Sequence, residues 1–219
     1  MSKQLNREEA WALLTEYNQD PFHLHHARTV EGVMRYFAQE LGYGDEVDFC
    51  VPTGNFGDIL AGYYAKQMGL PVGRLVCASN KNNVLTDFLR TGTYDARRTF
   101  YKTTSPSMDI LISSNLERLL YHVSGSSEKV AGWMQELSAT GKYTVDAETL
   151  AKIQQSFAAG YADDADGAAE IKARFDGDHY LCDTHTAVAF RVAETRRTDA
   201  PMVVLSTASP FKFPRDVLT

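Results

Sequence analysis

The fold of this chain is decided by one stretch, Val51-Pro-Thr-Gly-Asn-Phe-Gly-Asp58. It lies between an apolar, strand-like run, Val47–Val51, and a helix-like run, Ile59–Met68. Gly54 and Gly57 are expected to let the backbone adopt unusual dihedral angles, so that successive N–H groups point at an anion at the helix N-terminus. The pattern therefore predicts a loop that binds a small-molecule phosphate. A plain strand-to-helix turn is the alternative interpretation.

Strand-like and helix-like runs alternate on either side of this loop. Strands are predicted at Val47–Val51, Leu75–Ala78 and Met202–Leu205. Helices are predicted at Ile59–Met68, Asn83–Thr91, Leu116–Val123, Lys129–Ser138, Ala147–Phe157 and Thr184–Arg197. The strands are apolar on both faces, as buried parallel strands are. The alternation predicts an α/β fold with a partial doubly wound parallel sheet.

The first 46 residues have a different character and predict a short helical segment. Asn6-x-x-Glu9 resembles a capping box that opens a helix. The apolar face of that helix consists of Ala10, Leu13, Leu14 and Tyr17. A second helix is predicted at Leu24–Leu41. Two units are therefore expected, a helical N-terminal fragment over residues 1–46 and an α/β domain over residues 47–219.

Composition excludes several classes of protein. The 219 residues carry a formal charge of −6, which argues against a nucleic-acid partner because phosphate backbones require a basic surface. No apolar run approaches the roughly 20 residues that span a bilayer, and no signal-type run follows Met1-Ser-Lys. We therefore expect a cytoplasmic protein with no membrane partner.

The cysteines and the most acidic segment indicate neither a disulfide nor a metal site. Cys50, Cys77 and Cys182 are widely separated and form no Cys-x-x-Cys pair, so we interpret them as reduced structural residues. Tyr161–Glu170 has closely spaced aspartates but lacks the ligand spacing of an EF-hand loop. It is predicted to be a solvated helix start.

From Val47 onward the chain resembles threonine synthase, a pyridoxal-phosphate (PLP) enzyme of the tryptophan-synthase-β fold type, also called PLP fold type II. Six motifs carry the resemblance in the family's order. They are Phe49–Asp58 (FCVPTGNFGD), Ala78–Asn83 (ASNKNN), Ser105–Ile110 (SPSMDI), Ser113–Leu119 (SSNLERL), Asp183–Val188 (DTHTAV) and Ser206–Pro210 (STASP). Six ordered motifs are hard to obtain by chance.

The resemblance implies a cofactor site. Gly54, Asn55, Phe56 and Gly57 match the loop that binds the PLP phosphate, and Asp58 is expected to cap the following helix. Thr207 matches the residue whose hydroxyl meets the pyridine nitrogen. A neutral hydroxyl leaves that nitrogen unprotonated, which makes the cofactor a weaker electron sink.

It also implies residues around the substrate. Asn80, Asn82 and Asn83 fall in a motif that lies near the cofactor ring, with an Asn-rich turn as the alternative. Ser107 and Asp109 belong to a motif beside the active-site entrance. Further entrance residues are Ser113, Ser114, Asn115 and Arg118, of which Arg118 is equally consistent with a surface helix residue. His185 is interpreted as a packing or capping residue rather than a general base.

The lysine that forms the Schiff base with PLP has no counterpart here. In the family it lies upstream of the glycine loop in a Phe-Lys-Asp motif, and Lys3 is the only lysine before Gly54. Lys212 lies in the wrong order and lacks the following aspartate. No catalytic residue is therefore assigned.

The reaction implied by the family converts O-phosphohomoserine and water into threonine and phosphate. Without the lysine, we expect PLP or phosphate binding with little turnover in this chain alone. Self-association, or pairing with a chain that supplies an N-terminal half, is the expected partnership. The alternative is a noncatalytic, truncated or chimeric module.

A second resemblance covers only the first 45 residues or so. Asn6–Ala10 and His25–Glu31 resemble the opening of HD-domain phosphohydrolases, in which His26 would be a metal ligand. The sequence has no adjacent His-Asp pair, and one histidine cannot make such a site. A polar helix start is therefore the favoured interpretation. The join near Gly44–Val47 suggests either two truncated reading frames fused by deletion or an artefact of sequence assembly. A phosphohydrolase remnant is the third functional alternative.

Overall fold

The computed structural model describes residues 7–17, 19–21, 24, 25, 28 and 46–218. The first predicted helix is present as α1 (Arg7–Tyr17), although Leu13 and Tyr17 of its predicted apolar face are exposed. His26 and nearly all of the second predicted helix lie outside the described residues.

Residues 46–218 contain six strands and most of the helices. The strands are β1 (Val47–Pro52), β2 (Val72–Ser79), β3 (Thr93–Asp95), β4 (Lys142–Thr144), β5 (Phe157–Tyr161) and β6 (Met202–Val204). The helices are α2 (Gly57–Gln67), α3 (Val84–Thr91), α4 (Leu116–Ser124), α5 (Ser127–Thr140), α6 (Ala147–Gln154), α7 (Asp164–Asp178), α8 (Thr184–Arg196) and the short α9 (Pro214–Leu218). Short 3₁₀ turns lie at Pro106–Met108 and Pro210–Lys212.

Four strands form one parallel sheet in the order β5-β2-β1-β6. β1 and β2 are central and almost wholly buried, as their apolar sequences predict. The expectation of a strand buried on both faces was wrong for β6. This strand lies at the edge of the described sheet, and Val203 is 40% exposed. The predicted α/β class with a parallel sheet is confirmed.

Helices cover both faces of this sheet. Val51 and Cys77 point into a large apolar cluster on one face, together with Ile59 of α2. Their neighbours Cys50 and Val76 point into a second cluster on the opposite face, under α8. The alternation follows from the two-residue side-chain period of a strand, and it explains why both faces of β1 and β2 are apolar.

The small sheet of β3 and β4 was not predicted. The two strands pair antiparallel, and the rings of Tyr94 and Tyr143 stack with centroids 5.3 Å apart. Three-residue strands are too short to show a period of two, which is why the sequence pattern missed them. The predicted helix Ala147–Phe157 was also wrong at its end, since Phe157 begins β5.

The acidic segment begins a helix, as predicted. Asp163 is the N-cap of α7, and Asp163 and Asp166 each accept the other's backbone N–H in a reciprocal capping box. Farther along α7, Arg174 reaches Glu194 of α8 at 2.8 Å, so an ion pair joins the two helices. The acidic residues at the helix start therefore serve helix initiation.

None of the helices within the described residues combines the length and the apolar character that crossing a membrane requires.

Candidate functional site

The topology of the sheet places the glycine loop at a switch point. From β1 the chain moves outward to β2 and then β5, and it returns to pair β6 with the other side of β1. In open α/β sheets, ligands bind at such a reversal, outside the carboxyl ends of the strands. The glycine loop leaves the carboxyl end of β1, so it flanks this crevice.

The loop after β6 flanks the crevice from the other side. The Leu205 N–H donates to the Cys50 carbonyl at 2.9 Å, which continues the pairing of β6 with β1. Thr207 follows two residues later and is exposed. The structure therefore brings Thr207 to the same edge of the sheet as Gly54.

The unusual backbone angle in the glycine loop belongs to Phe56. Its φ of 66° and ψ of 6° are left-handed, and it is the N-cap of α2. Gly54 and Gly57 lie outside the left-handed region, so the prediction of unusual glycine dihedrals was wrong. The Phe56 ring is fully buried and packs on Phe157 with centroids 5.5 Å apart. This packing offsets the cost of a left-handed aromatic residue.

The two glycines are needed for close approach instead. A Cβ at Gly54 would lie 3.1 Å from the Met108 Cα and 3.2 Å from the Ser107 carbonyl oxygen. A Cβ at Gly57 would lie 3.3 Å from the side chains of Asn55 and Asn115. Gly54 therefore lets the segment around Ser107 lie directly on the loop.

Two side chains from the segment before α4 fix the orientation of the loop. The Ser113 hydroxyl donates to the Gly54 carbonyl at 3.0 Å, and the Asn115 side chain donates to the Asn55 carbonyl at 2.9 Å. The Asn55 side chain accepts the Gly57 N–H at 3.0 Å. The carbonyl groups of Gly54 and Asn55 are therefore both occupied by hydrogen bonds within the protein. Within residues 46–218, the N–H groups of Gly54, Asn55 and Phe56 have no hydrogen-bond acceptor.

Ser113 is itself held by an aromatic residue that the sequence did not indicate. The Tyr94 hydroxyl accepts the Ser113 N–H at 2.8 Å and donates to the Leu111 carbonyl at 2.9 Å. Burial raises the pKa of Tyr94 to about 12, so the hydroxyl stays protonated and keeps both roles. Tyr94 lies on β3, which shows no sequence signal for a functional residue. Of the other predicted entrance residues, Ser114 and Arg118 are exposed.

Asp58 does not cap α2, contrary to expectation. The helix begins at Gly57, its N-cap Phe56 has no side-chain hydrogen bond, and Asp58 lies in the first turn. Desolvation by the surrounding protein raises the pKa of Asp58. When ionised, this carboxylate would repel another anion at the helix N-terminus.

The predicted substrate residues form a hydrogen-bond network within the protein. The Asp109 carboxylate accepts from the Asn80 amide at 2.8 Å, the Asn82 amide at 2.9 Å and the Thr103 hydroxyl at 2.7 Å. Asn80 and Asn82 are buried, and Asn82 also exchanges two hydrogen bonds with the Tyr101 backbone. The structure thus brings these three predicted residues together, and their side chains hold the loop after residue 100.

His185 of α8 contacts the same loop. Its Nε2 accepts the Ser107 N–H at 3.1 Å, while its Nδ1 lies 3.1 Å from Asp183 Oδ1. Asp183 is the predicted N-cap of α8 and accepts the backbone N–H of His185 and Thr186. Burial alone would raise the pKa of Asp183, but the hydrogen bonds from His185 and Thr186 outweigh it and lower the pKa to about 2.

A cavity of about 230 Å³ lies elsewhere, beside α8 and β6, and is lined by residues such as Phe190, Glu194 and Met202. Its charged groups are already paired, with Glu194 bound by both Arg174 and Arg197. The glycine loop is the better candidate site, because its N–H groups lack acceptors within the described residues. Three such groups beside the positive end of a helix dipole can bind a phosphate or another oxyanion.

Comparison with known proteins matches this architecture. The family model described as "Threonine synthase, C-terminal" matches residues 186–219. Threonine synthase from Pseudomonas aeruginosa is 41% identical over 197 residues, which cover 87% of this chain and 42% of that protein. "Threonine synthase-like 1" from Pongo abelii is 41% identical over 176 residues, or 79% of this chain and 24% of that protein.

Structural comparison agrees with the sequence matches. The crystal structure of PLP-bound threonine synthase from Brucella melitensis superposes with a TM-score of 0.79 at 46% identity, over 84% of this chain and 41% of that one. The chain therefore spans less than half the length of these relatives. Over the part that these comparisons cover, the chain belongs to the threonine synthase family and corresponds to the C-terminal part of its members.

Proposed function

We propose that the glycine loop binds the phosphate group of pyridoxal 5′-phosphate. One observation carries the proposal: the N–H groups of Gly54, Asn55 and Phe56 lack protein acceptors within residues 46–218, at the start of α2 and beside the switch point of the sheet. A phosphate dianion supplies acceptors for these donors and is attracted by the helix dipole.

The remaining residues of the crevice fit the rest of the cofactor. Thr207 is exposed at the neighbouring strand end and would meet the pyridine nitrogen with a neutral hydroxyl. Asn83 would contact the ring, since its carbonyl oxygen is bound by Arg98 at 2.9 Å and its NH₂ group has no acceptor within the described residues. When bound, PLP withdraws electrons from a substrate carbon beside an amine. The chain's own residues bind and orient the cofactor.

The proposed reaction of the whole protein is conversion of O-phosphohomoserine and water into threonine and phosphate. This chain supplies the phosphate loop but no lysine matched to the family's cofactor-anchoring position, so we propose little turnover by the chain alone. We also propose that activity requires a lysine supplied from outside these 219 residues, and that Asn80, Asn82, Ser107 and Asp109 support the substrate side of the crevice.

Binding is tested with pyridoxine 5′-phosphate, which has no aldehyde and cannot react with surface lysines. The ligand is titrated into the protein, followed by its fluorescence, with inorganic phosphate as competitor. Gly57→Asp and Gly57→Asn form a matched pair, because the new side chains have the same size and differ in charge. Saturable binding that Gly57→Asn weakens and Gly57→Asp abolishes is expected. Equal affinities in the two variants would contradict a phosphate at this loop.

Turnover is tested by complementation of a threonine auxotroph. We expect the chain alone to fail and to succeed only when a lysine-bearing N-terminal half is coexpressed. Growth with the chain alone would refute the proposal that the lysine must come from elsewhere.

A further inference from the structure

His185 has both ring nitrogens engaged in the protein. A backbone N–H can only donate, so the contact from Ser107 requires Nε2 to be the acceptor. The proton must then be on Nδ1, which donates to the Asp183 carboxylate. The ring is 2% exposed, and Phe213 packs on it with centroids 4.8 Å apart. His185 is therefore a neutral imidazole of fixed tautomer.

The segment that His185 holds is the one that lies on the glycine loop. The Ser107 carbonyl and the Met108 Cα are the backbone atoms nearest to the position of a Gly54 Cβ. This segment, Ser105–Asp109, ends at Asp109, whose carboxylate accepts hydrogen bonds from the buried amides of Asn80 and Asn82. The middle of the segment, in contrast, donates a hydrogen bond to α8, from the Ser107 N–H to His185 Nε2.

We propose that His185 is a positioning residue for the phosphate loop. Its Nε2 fixes the Ser107 amide, which keeps the Ser105–Asp109 segment against Gly54 and thereby keeps the loop amides aimed at the crevice. Asp183 sets the required tautomer from the opposite ring nitrogen. This inference rests on the proposed function of the glycine loop, but the hydrogen bond itself is measured without any ligand.

Two amide substitutions separate the two ring nitrogens. His185→Gln places a carbonyl oxygen near the Nε2 position and keeps an acceptor for Ser107. His185→Asn reaches only the Nδ1 position and can keep the contact with Asp183 alone. If His185 only filled space, the two variants would not differ specifically in hydrogen exchange at the Ser107 amide. The pair therefore distinguishes a positioning role from a packing role.

The readout is hydrogen exchange at the Ser107 amide in the full chain, with the buried Val76 amide of β2 as reference. Loss of one hydrogen bond increases exchange by about tenfold. We expect that increase in His185→Asn, and no more than about a threefold change in His185→Gln. The affinity for inorganic phosphate should follow the same order. Equal Ser107 exchange in the two variants would overturn the inference.

Wild-type protein provides a measurement that does not depend on folding of a variant. A scalar coupling through the hydrogen bond between the Ser107 nitrogen and His185 Nε2, with ring shifts of an Nδ1-protonated imidazole, is expected. An Nε2-protonated ring would overturn the inference. If wild type binds no phosphate while the coupling is present, the proposed function of the loop fails and the hold of His185 on the segment stands.

Discussion

Replacing Gly54 by alanine tests the close approach that defines the candidate site. A Cβ there would lie 3.1 Å from both the Met108 Cα and the Ile110 Cδ1, and 3.2 Å from the Ser107 oxygen. Two of these atoms are backbone and cannot rotate away, so the segment itself must move. Overpacking of this kind costs about 1–3 kcal/mol of unfolding free energy. For a domain of this size, the melting temperature should fall by about 2–12 °C.

The matched control is Gly132→Ala on α5, where no atom lies within 4 Å of the new Cβ. The same substitution in an exposed helix should stabilise the protein by about 0.5–1 kcal/mol. Thermal and urea unfolding of the two variants should therefore differ by about 1.5–4 kcal/mol. If Gly54→Ala proved as stable as Gly132→Ala, the segment around Ser107 would not lie on the glycine loop, and the reasoning about the site would be refuted.

Three further predictions concern the core. Gly73→Ala should destabilise the protein by at least about 1–3 kcal/mol in urea unfolding, because its Cβ would overlap the buried Asp48 carboxylate, well inside van der Waals contact. Cys77 and Cys182 should resist iodoacetamide at pH 8 until urea unfolds the chain, as read by mass spectrometry, because burial raises their pKa to about 12 and about 11. Asp183 has a lowered pKa of about 2, so its stabilisation is complete above an unfolded pKa near 3.9 and is lost as the pH falls toward 2. Between pH 6 and pH 2.5, the wild-type protein should lose about 2 kcal/mol more unfolding free energy than Asp183→Asn does, as measured by urea unfolding at the two pH values.

The sequence predicted the central strands and the place of the glycine loop between β1 and α2, because these depend on local patterns. β1 and β2 each contain a short apolar run, Phe49–Pro52 and Leu75–Ala78, and the glycine loop follows β1 directly. β5 was missed because Phe157-Ala-Ala-Gly-Tyr161 contains no β-branched residue and continues an apolar helical pattern. Its pairing with β2, which lies about 80 residues earlier, is what makes it a strand.

The role of Gly54 was predicted wrongly because the contact that requires a glycine is made by residues far away in the sequence. Gly54 is required by a segment more than 50 residues later, which no local pattern reveals. The buried amides of Asn80 and Asn82 were expected to face a ligand, yet they donate to Asp109 and its neighbours. The sequence of a family motif does not show whether a polar residue contacts a ligand or supports a loop.

Phe56 links the candidate site to the rest of the molecule in a way that affects how a ligand would bind. Its amide is one of the three loop donors that lack an acceptor within residues 46–218, while its ring is buried in the core against Phe157. The loop therefore cannot rearrange without opening the core. The N–H donors would already be in position when an anion binds. The conformational entropy of ordering them is lost during folding and not during association. The anion should consequently bind to a preorganised site without rearrangement of the loop, with an affinity limited by desolvation of the anion.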